Sequence, residues 1–564
     1  MQFVDSWRLF GPNAQTRGPA TLAEVAFDEG EDVAAAVDAW RVELARMAGA
    51  LGLPVEDAAA RVYRGGAVLT FSSALDVLLP ATDVNEWAAQ SAASVLRGEG
   101  PLPVEPQLEI LRAAMLARRN PRLLALEAEA HRRGLPLTWD DETVTLGAGR
   151  GSRSWPMTAL PLSDDVPWGA LRSMPIALVT GTNGKTTSAR LLARLLKHAG
   201  HVVGLTTTDG IWVDERRLEA GDFTGPAGAT AVMRDATVDA AVLETARGGI
   251  LRRGLIVRSP GVALLTNVSE DHLGHYGIDD LAMLARVKAV VGSVVPPSGR
   301  VVVNADDPHL MAEAAAFAAP LSLFSLDPAS PVLDAHVGAG GEGWTVHAGW
   351  IVRREGDRET RLVEVVDVPI AFGGAARYNV ANAMGAAASA RALGVTDDTL
   401  ALGLKGFTSS TADNPGRGNL STVGGVQVLV DFAHNPAGIR SVLALVAELR
   451  AGRPRGRLAV VAGYAGDRSD ESLRDAARAI FDAAPLRVVL RDLAGYLRGR
   501  APGEVPRLFQ EELARLGLPR DVVDVAASEA LALRRALDWA EPGDFVLILA
   551  HLESAEVAAV LAEG

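Results

Sequence analysis

Cysteine is absent from the 564 residues, which excludes disulfides, zinc–thiolate centres and iron–sulfur clusters. Lysine is almost absent. Only Lys185, Lys197, Lys288 and Lys405 occur among 55 basic residues. Either base can serve as a surface charge, so a strong drift to arginine removes lysine wherever nothing holds it. The lysines that survive are candidates for positions that need a primary amine. No apolar run approaches the roughly 20 residues that span a bilayer. Met1–Arg8 shows no basic segment leading into an apolar stretch, so no signal peptide is read. A cytoplasmic protein without a membrane partner is expected. Basic excess is missing too: 55 Lys and Arg against 69 Asp and Glu give a net charge of −14, which argues against nucleic acid. What remains is a globular composition, 48% apolar and 22% charged, with length for three or four domains at ~150 residues each.

The chain is expected to be α/β, in three parts. Residues 1–165 contain no lysine and read as an α+β module. Val33–Leu51 and Arg122–Arg133 have helical periodicity, and Leu135–Leu137 and Thr143–Leu146 suggest short strands. Gly147–Arg153 looks like a glycine-rich phosphate loop, but it follows a hairpin and opens no helix, so a turn is expected. Residues 166–414 alternate apolar strands (Ile176–Thr180, Val202–Thr206, Ala240–Glu244, Val262–Asn267, Val301–Asn304) with helices such as Thr186–His198 and Asp279–Gly292. That order predicts a mainly parallel sheet covered by helices on both faces. Between Val332 and Phe372 the period changes to 2, which suggests a small antiparallel insertion. Asn414-Pro415-Gly416 marks a linker. Residues 415–564 repeat the alternation in a smaller Rossmann-like α/β domain, with strands at Val426–Asp431, Leu458–Ala462, Arg487–Leu490 and Phe545–Leu549.

The run Ile176–Thr180 leads into Gly181-Thr182-Asn183-Gly184-Lys185-Thr186-Thr187. A strand, a glycine turn and Lys-Thr opening a helix form a device for polyphosphate. Backbone N–H groups point at the anion, Lys185 adds a point charge, and the Thr186 hydroxyl suits Mg²⁺. The strict G-x-x-x-x-G-K-[ST] spacing fails, because Val179 occupies its first position. Glu244 ends a buried strand, where a carboxylate points into the ligand crevice of a parallel sheet. His272 follows another strand end. Leu281, Leu284, Lys288, Val291 and Val295 are spaced 3-4-3-4, which puts Lys288 on the buried stripe of a helix. Burial lowers a lysine pKa, and a neutral amine can add CO₂ to become a carbamate able to serve a metal. The alternative is that Lys288 snorkels to solvent.

These residues, together with Thr206–Gly210, Gly221–Pro226, Leu243–Arg252, Asn267–Leu273, Asn304–Asp307, Asn414–Arg417 and Asp431–Pro436, resemble the ATP-dependent Mur ligase family, which includes the folylpolyglutamate synthases. The resemblance is strongest to the Mur-like half of the cyanophycin synthetases. Arg8–Asn13 and Arg133–Gly149 resemble their N-terminal region more weakly, and the ATP-grasp domain that would follow is missing. The resemblance implies a central ATP-binding domain in which Gly181, Thr182, Asn183, Gly184, Lys185, Thr186 and Thr187 bind the ATP phosphates. Thr186 and Glu244 would hold one Mg²⁺, and His272 with carbamylated Lys288 a second. Asn304, Asn379 and Asn382 would lie near the base. Arg417 and Asp431 would close over phosphate and ribose, with Thr224-Gly225-Pro226 near the acceptor.

The implied activity is amide formation through an acyl phosphate, joining an amino-acid amine to a small-molecule or peptide carboxylate. Gly466-Asp467-Arg468 either holds the incoming amino acid or is a turn with a surface charge pair. Two alternatives stay open: a non-catalytic nucleotide-binding partner of a separate ATP-grasp ligase, and a folylpolyglutamate-synthase-like ligase. No His-x-x-Glu-His occurs in residues 1–165, which argues against a hydrolase role. That region is a candidate association module for a homo-oligomer.

Overall fold

The apolar runs of the middle of the chain pair into one large sheet. A computed structural model describes residues 1–451 and 456–563. Across the sheet the strands run Arg216–Ala220, Gly210–Val213, Val203–Thr207, Ala240–Glu244, Ile176–Thr180, Val262–Leu265, Arg300–Asn304, Leu321–Phe324, Glu342–His347, Trp350–Glu355 and Arg358–Glu364. From Val203–Thr207 to Glu342–His347 all neighbours are parallel. Ile176–Thr180 lies at the centre and is buried along its whole length, as its unbroken apolar run requires. The helices Lys185–His198 and Arg377–Ala392 pack on one face of it. The second helix buries Ala383, Ala386, Ala387 and Ala390, and such small side chains let two helices approach closely. Leu284, Val287 and Val291 of the helix Leu281–Ser293 belong to the core on the other face.

The period-2 region differs from expectation. Its three strands are no separate insertion. Glu342–His347 pairs in parallel with Leu321–Phe324, and the two strands after it continue the same sheet antiparallel. Periodicity reports which face of a strand is buried, not which edge it joins.

A six-stranded sheet follows, ordered Asn419–Val423, Val426–Asp431, Phe545–Leu549, Leu458–Tyr464, Arg487–Asp492 and Val523–Ala526, parallel except at its first pair. At the other end of the chain, Gln2–Leu9, Ala20–Ala26, Gly66–Ser72 and Ala58–Tyr63 form an antiparallel sheet. The helices Val33–Leu51 and Leu78–Leu96 pack against it. Trp40 Nε1 donates to Asn85 Oδ1 at 2.9 Å, and Asn85 Nδ2 donates to Leu69 O at 3.0 Å. This satisfied polar chain fixes the helices to the sheet.

The glycine-rich segment Gly147–Arg153 is a turn, as read. Arg150 N donates to Val238 O at 2.7 Å. Gly149 has φ +56°, and a Cβ there would lie 2.2 Å from the same carbonyl. Its glycines therefore serve close docking of the N-terminal region, not an anion. No helix among the described residues is long and apolar enough to cross a membrane.

Candidate active site

The loop after Ile176–Thr180 is built around two glycines that nothing larger could replace. Gly181 has φ +152°, and a Cβ on it would meet Thr266 Oγ1 at 1.8 Å. Gly184 has φ +80°, and its Cβ would meet Asn382 Oδ1 at 2.2 Å. Asn267 pins the turn between them: its Oδ1 accepts from Asn183 N at 2.9 Å and its Nδ2 donates to Asn183 O at 3.0 Å. Gly184 then caps the helix Lys185–His198, whose N-terminus carries a partial positive charge suited to an anion. Lys185 Nζ donates to Thr182 O at 2.9 Å.

Thr186 Oγ1 donates to Glu244 Oε2 at 2.9 Å and lies 3.3 Å from Thr208 Oγ1. Glu244 is only 2% exposed, and its other oxygen, Oε1, has no partner. Burial pushes its carboxyl above the ordinary range, with Lys185 and Arg417 opposing. An orphaned buried carboxylate oxygen beside two hydroxyls is the hard oxygen donor set that Mg²⁺ prefers.

Thr182, Asn183, Gly184, Lys185, Thr186 and Thr187 face Asn304, Asn379, Asn382, Arg417 and Asp431 across a cavity of about 300 Å³. The asparagines are partly committed to the scaffold. Asn304 Nδ2 donates to Thr266 O at 2.9 Å, Asn379 Nδ2 to Ile370 O at 2.9 Å, and Asn382 Nδ2 to Asn379 Oδ1 at 3.1 Å. Arg417 Nη2 donates to Thr208 Oγ1 at 3.0 Å, and its guanidinium lies 4.6 Å from the centre of the Phe432 ring. Burial raises Asp431 to about 6, against the Ala433 N–H and Arg417.

Gly181 instead faces a larger adjoining cavity of about 1000 Å³, with Lys185, Thr224-Gly225-Pro226, His272 and Lys288. Lys288 is 4% exposed and does not snorkel. Its Nζ donates to Gly181 O at 2.6 Å. Burial, then the charge of Lys185, hold its pKa far below the usual lysine value. By contrast, Lys197 and Lys405 make surface ion pairs with Glu215 (3.0 Å) and Asp367 (2.8 Å).

His272 lines the same cavity, but its ring nitrogens are taken by Arg468. Arg468 Nη2 lies 2.7 Å from its Nε2, and Arg468 Nη1 contacts its Nδ1. Burial pulls His272 down to about 3, with Asp271 opposing and Arg468 assisting, so the ring is neutral. Among the described residues no hydrogen bond or ion pair joins His272 to Lys288. Arg468, expected in a ligand-holding or surface turn, is 6% exposed and pairs with Asp271 at 3.0 Å.

Several contributors escaped the sequence reading. His275, with Asp467 of the Gly466-Asp467-Arg468 segment already singled out, comes within metal-ligating reach of His272; the spacing His272-x-x-His275 was the available signal. Tyr378 and Ser441 line the smaller cavity and carry no local mark of it, whereas Thr208 and His434 line it from the motifs Thr206–Gly210 and Asp431–Pro436.

Residues 179–390 match the Mur ligase middle domain, and residues 416–552 match the Mur ligase, glutamate ligase domain. The chain belongs to the Mur ligase family. It is 39% identical over 394 residues to a cyanophycin synthetase of Synechocystis sp., covering 69% of this chain and 44% of that protein. It is 29% identical over 388 residues to a UDP-N-acetylmuramoyl-L-alanyl-D-glutamate--2,6-diaminopimelate ligase of Gloeobacter violaceus, covering 67% and 72%. The chain thus spans less than half the length of the cyanophycin synthetase it matches. E. coli FolC in complex with DHPP and ADP shares the fold, with a TM-score of 0.51 at 21% identity over 69% of this chain and 88% of that one.

Proposed function

We propose that the chain is an ATP-dependent carboxylate–amine ligase working in the cytoplasm, with the adenine nucleotide in the smaller cavity and the acceptor in the larger. The observation that carries this reading is the shared wall. Lys185 lines both cavities, so the phosphate end of one meets the reacting end of the other.

A carboxylate is a poor acylating agent because it would have to expel oxide. Attack of its oxygen on the γ-phosphorus of ATP forms an acyl phosphate and releases ADP. An amine then adds to the acyl carbon, loses its proton, and phosphate leaves as the amide forms. Gly181–Thr187 supply backbone N–H groups, and Lys185 neutralises charge on the transferring phosphoryl group. Thr186 and Glu244 would hold Mg²⁺, with the Thr208 hydroxyl beside them; that ion, when bound, draws charge from the phosphate oxygens. Arg417 and Asp431 close the nucleotide cavity from the C-terminal side and exclude water from an acyl phosphate that would otherwise hydrolyse.

Lys288 supports the carbamate reading. A buried amine with a depressed pKa is unprotonated and can add CO₂. The carbamate oxygens suit Mg²⁺ where an amine does not. The second ion proposed at His272 and Lys288 depends on that modification, and on release of His272 from Arg468.

Incubation with ATP, Mg²⁺ and pooled acidic peptides and amino acids, read by mass spectrometry, is expected to yield an amide with stoichiometric ADP. Nucleotide binding without an amide from any pool would favour the non-catalytic reading, and binding of a pterin would instead point to the folylpolyglutamate-synthase-like one. For Lys288→Arg, near-complete loss of ligation with unchanged thermal unfolding is expected, since arginine cannot form the carbamate. Wild-type turnover in that variant ends the carbamate proposal.

A further inference from the structure

Phe432 and His434 line both cavities, so the loop Asp431–His434 forms part of the wall between them. What sets that loop lies behind it, in the C-terminal sheet. Ala433 N donates to Asp431 Oδ1 at 2.8 Å, and Ala550 N donates to Asp431 O at 2.9 Å. The carbonyl of Ala433 is held by a histidine from the segment after the strand Phe545–Leu549: His551 Nε2 donates to Ala433 O at 3.1 Å. The His551 ring also meets the Phe432 ring edge to face, with centres 5.2 Å apart, and His434 packs against the same phenyl ring at 5.4 Å.

His551 is itself held from behind. Arg491 and Glu529 form a buried ion pair at 2.5 Å. Arg491 Nη2 donates to Leu549 O at 2.7 Å and lies 3.4 Å from His551 Nδ1. Glu529 opens the helix Glu529–Trp539, and its carboxylate accepts from the backbone N–H groups of His551 (2.8 Å), Leu552 (3.1 Å) and Glu553 (2.9 Å). Gly463 makes room for this arrangement, since a Cβ there would lie 2.3 Å from Arg491 Nη1. A buried ion pair adds little net stability, because desolvation offsets its attraction, and Arg491 Nε and Nη1 have no hydrogen-bond partner. What the pair does fix is the ring and the backbone of His551. A carbonyl only accepts, so Nε2 carries the ring proton, and Nδ1 turns its lone pair toward Arg491, which only donates. Burial, then the Arg491 charge, hold the His551 pKa well below its ordinary value, so the ring stays neutral.

We propose that His551 is a positioning residue: through Ala433 O and the Phe432 ring it sets the loop Asp431–His434 and so closes the wall between the two cavities. The consequence for the reaction, an acyl phosphate kept from water, rests on the ligase reading above.

Two variants separate the ring from its hydrogen bond. His551→Phe keeps an aromatic ring and loses the donor, whereas His551→Gln loses the ring and keeps an N–H donor and an acceptor oxygen. Amide exchange across residues 432–435 is expected to be about tenfold faster in H551F, the effect of one lost hydrogen bond, and close to wild type in H551Q. The ratio of phosphate released to amide formed is expected to rise in H551F and to return toward wild type in H551Q. Exchange as slow in H551F as in wild type, or as fast in H551Q as in H551F, overturns the proposal. An unchanged ratio in H551F overturns the sealing role. Nitrogen NMR of wild type labelled at histidine is expected to show His551 neutral and protonated at Nε2 at neutral pH. A ring protonated at Nδ1 overturns the proposal even if neither variant folds. Wild type that binds ADP and yields no amide would sink the ligase reading, while exchange and the tautomer still decide the positioning.

Discussion

At the scale of single residues, function and stability oppose each other at Glu244. A buried carboxylate with one unpartnered oxygen and a raised pKa favours its protonated form in the fold. Its contribution to stability is complete below the unfolded pKa and is lost as pH rises through the folded one. Glu244→Gln removes that loss. In metal-free buffer the variant is expected to melt no lower than wild type at pH 8, with any advantage shrinking as pH falls into the carboxylate range. ATP turnover is expected to fall on the order of 10²–10³-fold, as when a group stabilising transition-state charge is deleted. A variant that melts well below wild type at pH 8, or keeps its turnover, refutes the assignment. Lys185, Thr186 and Glu244 could be read from the sequence because each owes its position to one strand and the turn after it. Arg468 could be singled out but its role could not be read: its partners Asp271 and His272 come from a loop of the central domain, and no local pattern announces a contact across 196 residues.

At the scale of elements, the loop His272–Gly277 carries backbone strain at two of its residues. His272 and Tyr276 have φ of +55° and +53°, a left-handed conformation that costs roughly 1–2 kcal/mol for a residue with a side chain. The N-terminal hairpin holds it there. Arg61 Nη2 donates to Tyr276 O at 2.8 Å and Nη1 donates to Gly277 O, while Arg64 N donates to Asp279 Oδ2 at 2.7 Å. Tyr63 packs so close to Gly277 that a Cβ there would meet its ring at 2.2 Å. Arg61→Leu is expected to cost about 1–3 kcal/mol, because the two carbonyls lose charged donors, and to speed amide exchange across residues 272–279. Exchange there as slow as in wild type would show that the hairpin is no clamp. The strands of this sheet escaped sequence reading for physical reasons. Gln2–Leu9 has a register shift between Phe3 and Asp5 that breaks its alternation. Ala58–Tyr63 and Ala20–Ala26 are alanine-rich, a composition with little β preference. The central strands could be read because burial on both faces leaves an unbroken apolar run.

For the whole molecule, the site exists only when its parts are closed on one another. Asn183 of the loop Gly181–Thr187 and Asn435 of the C-terminal part exchange amide hydrogen bonds, 3.2 Å in one direction and 2.8 Å in the other. Asn435 is 1% exposed, and its Oδ1 also accepts from Gly438 N at 2.9 Å, at the start of the helix Pro436–Ala451. One side chain thus caps a helix and latches two sheets. Asn435→Asp separates the two roles. The carboxylate still accepts from Gly438 N, so the helix keeps its cap. Asn183 Oδ1 now faces an oxygen that cannot donate, and the latch changes from reciprocal to half repulsive. Loss of about 1–1.5 kcal/mol of closure is expected, seen as a larger radius of gyration by X-ray scattering and about a tenfold weaker ADP affinity. The melting temperature is expected to move little, since neither sheet loses its core. An unchanged scattering profile with unchanged affinity would mean that closure is carried by Arg468 on Asp271 and His272, and that the asparagine pair only follows it.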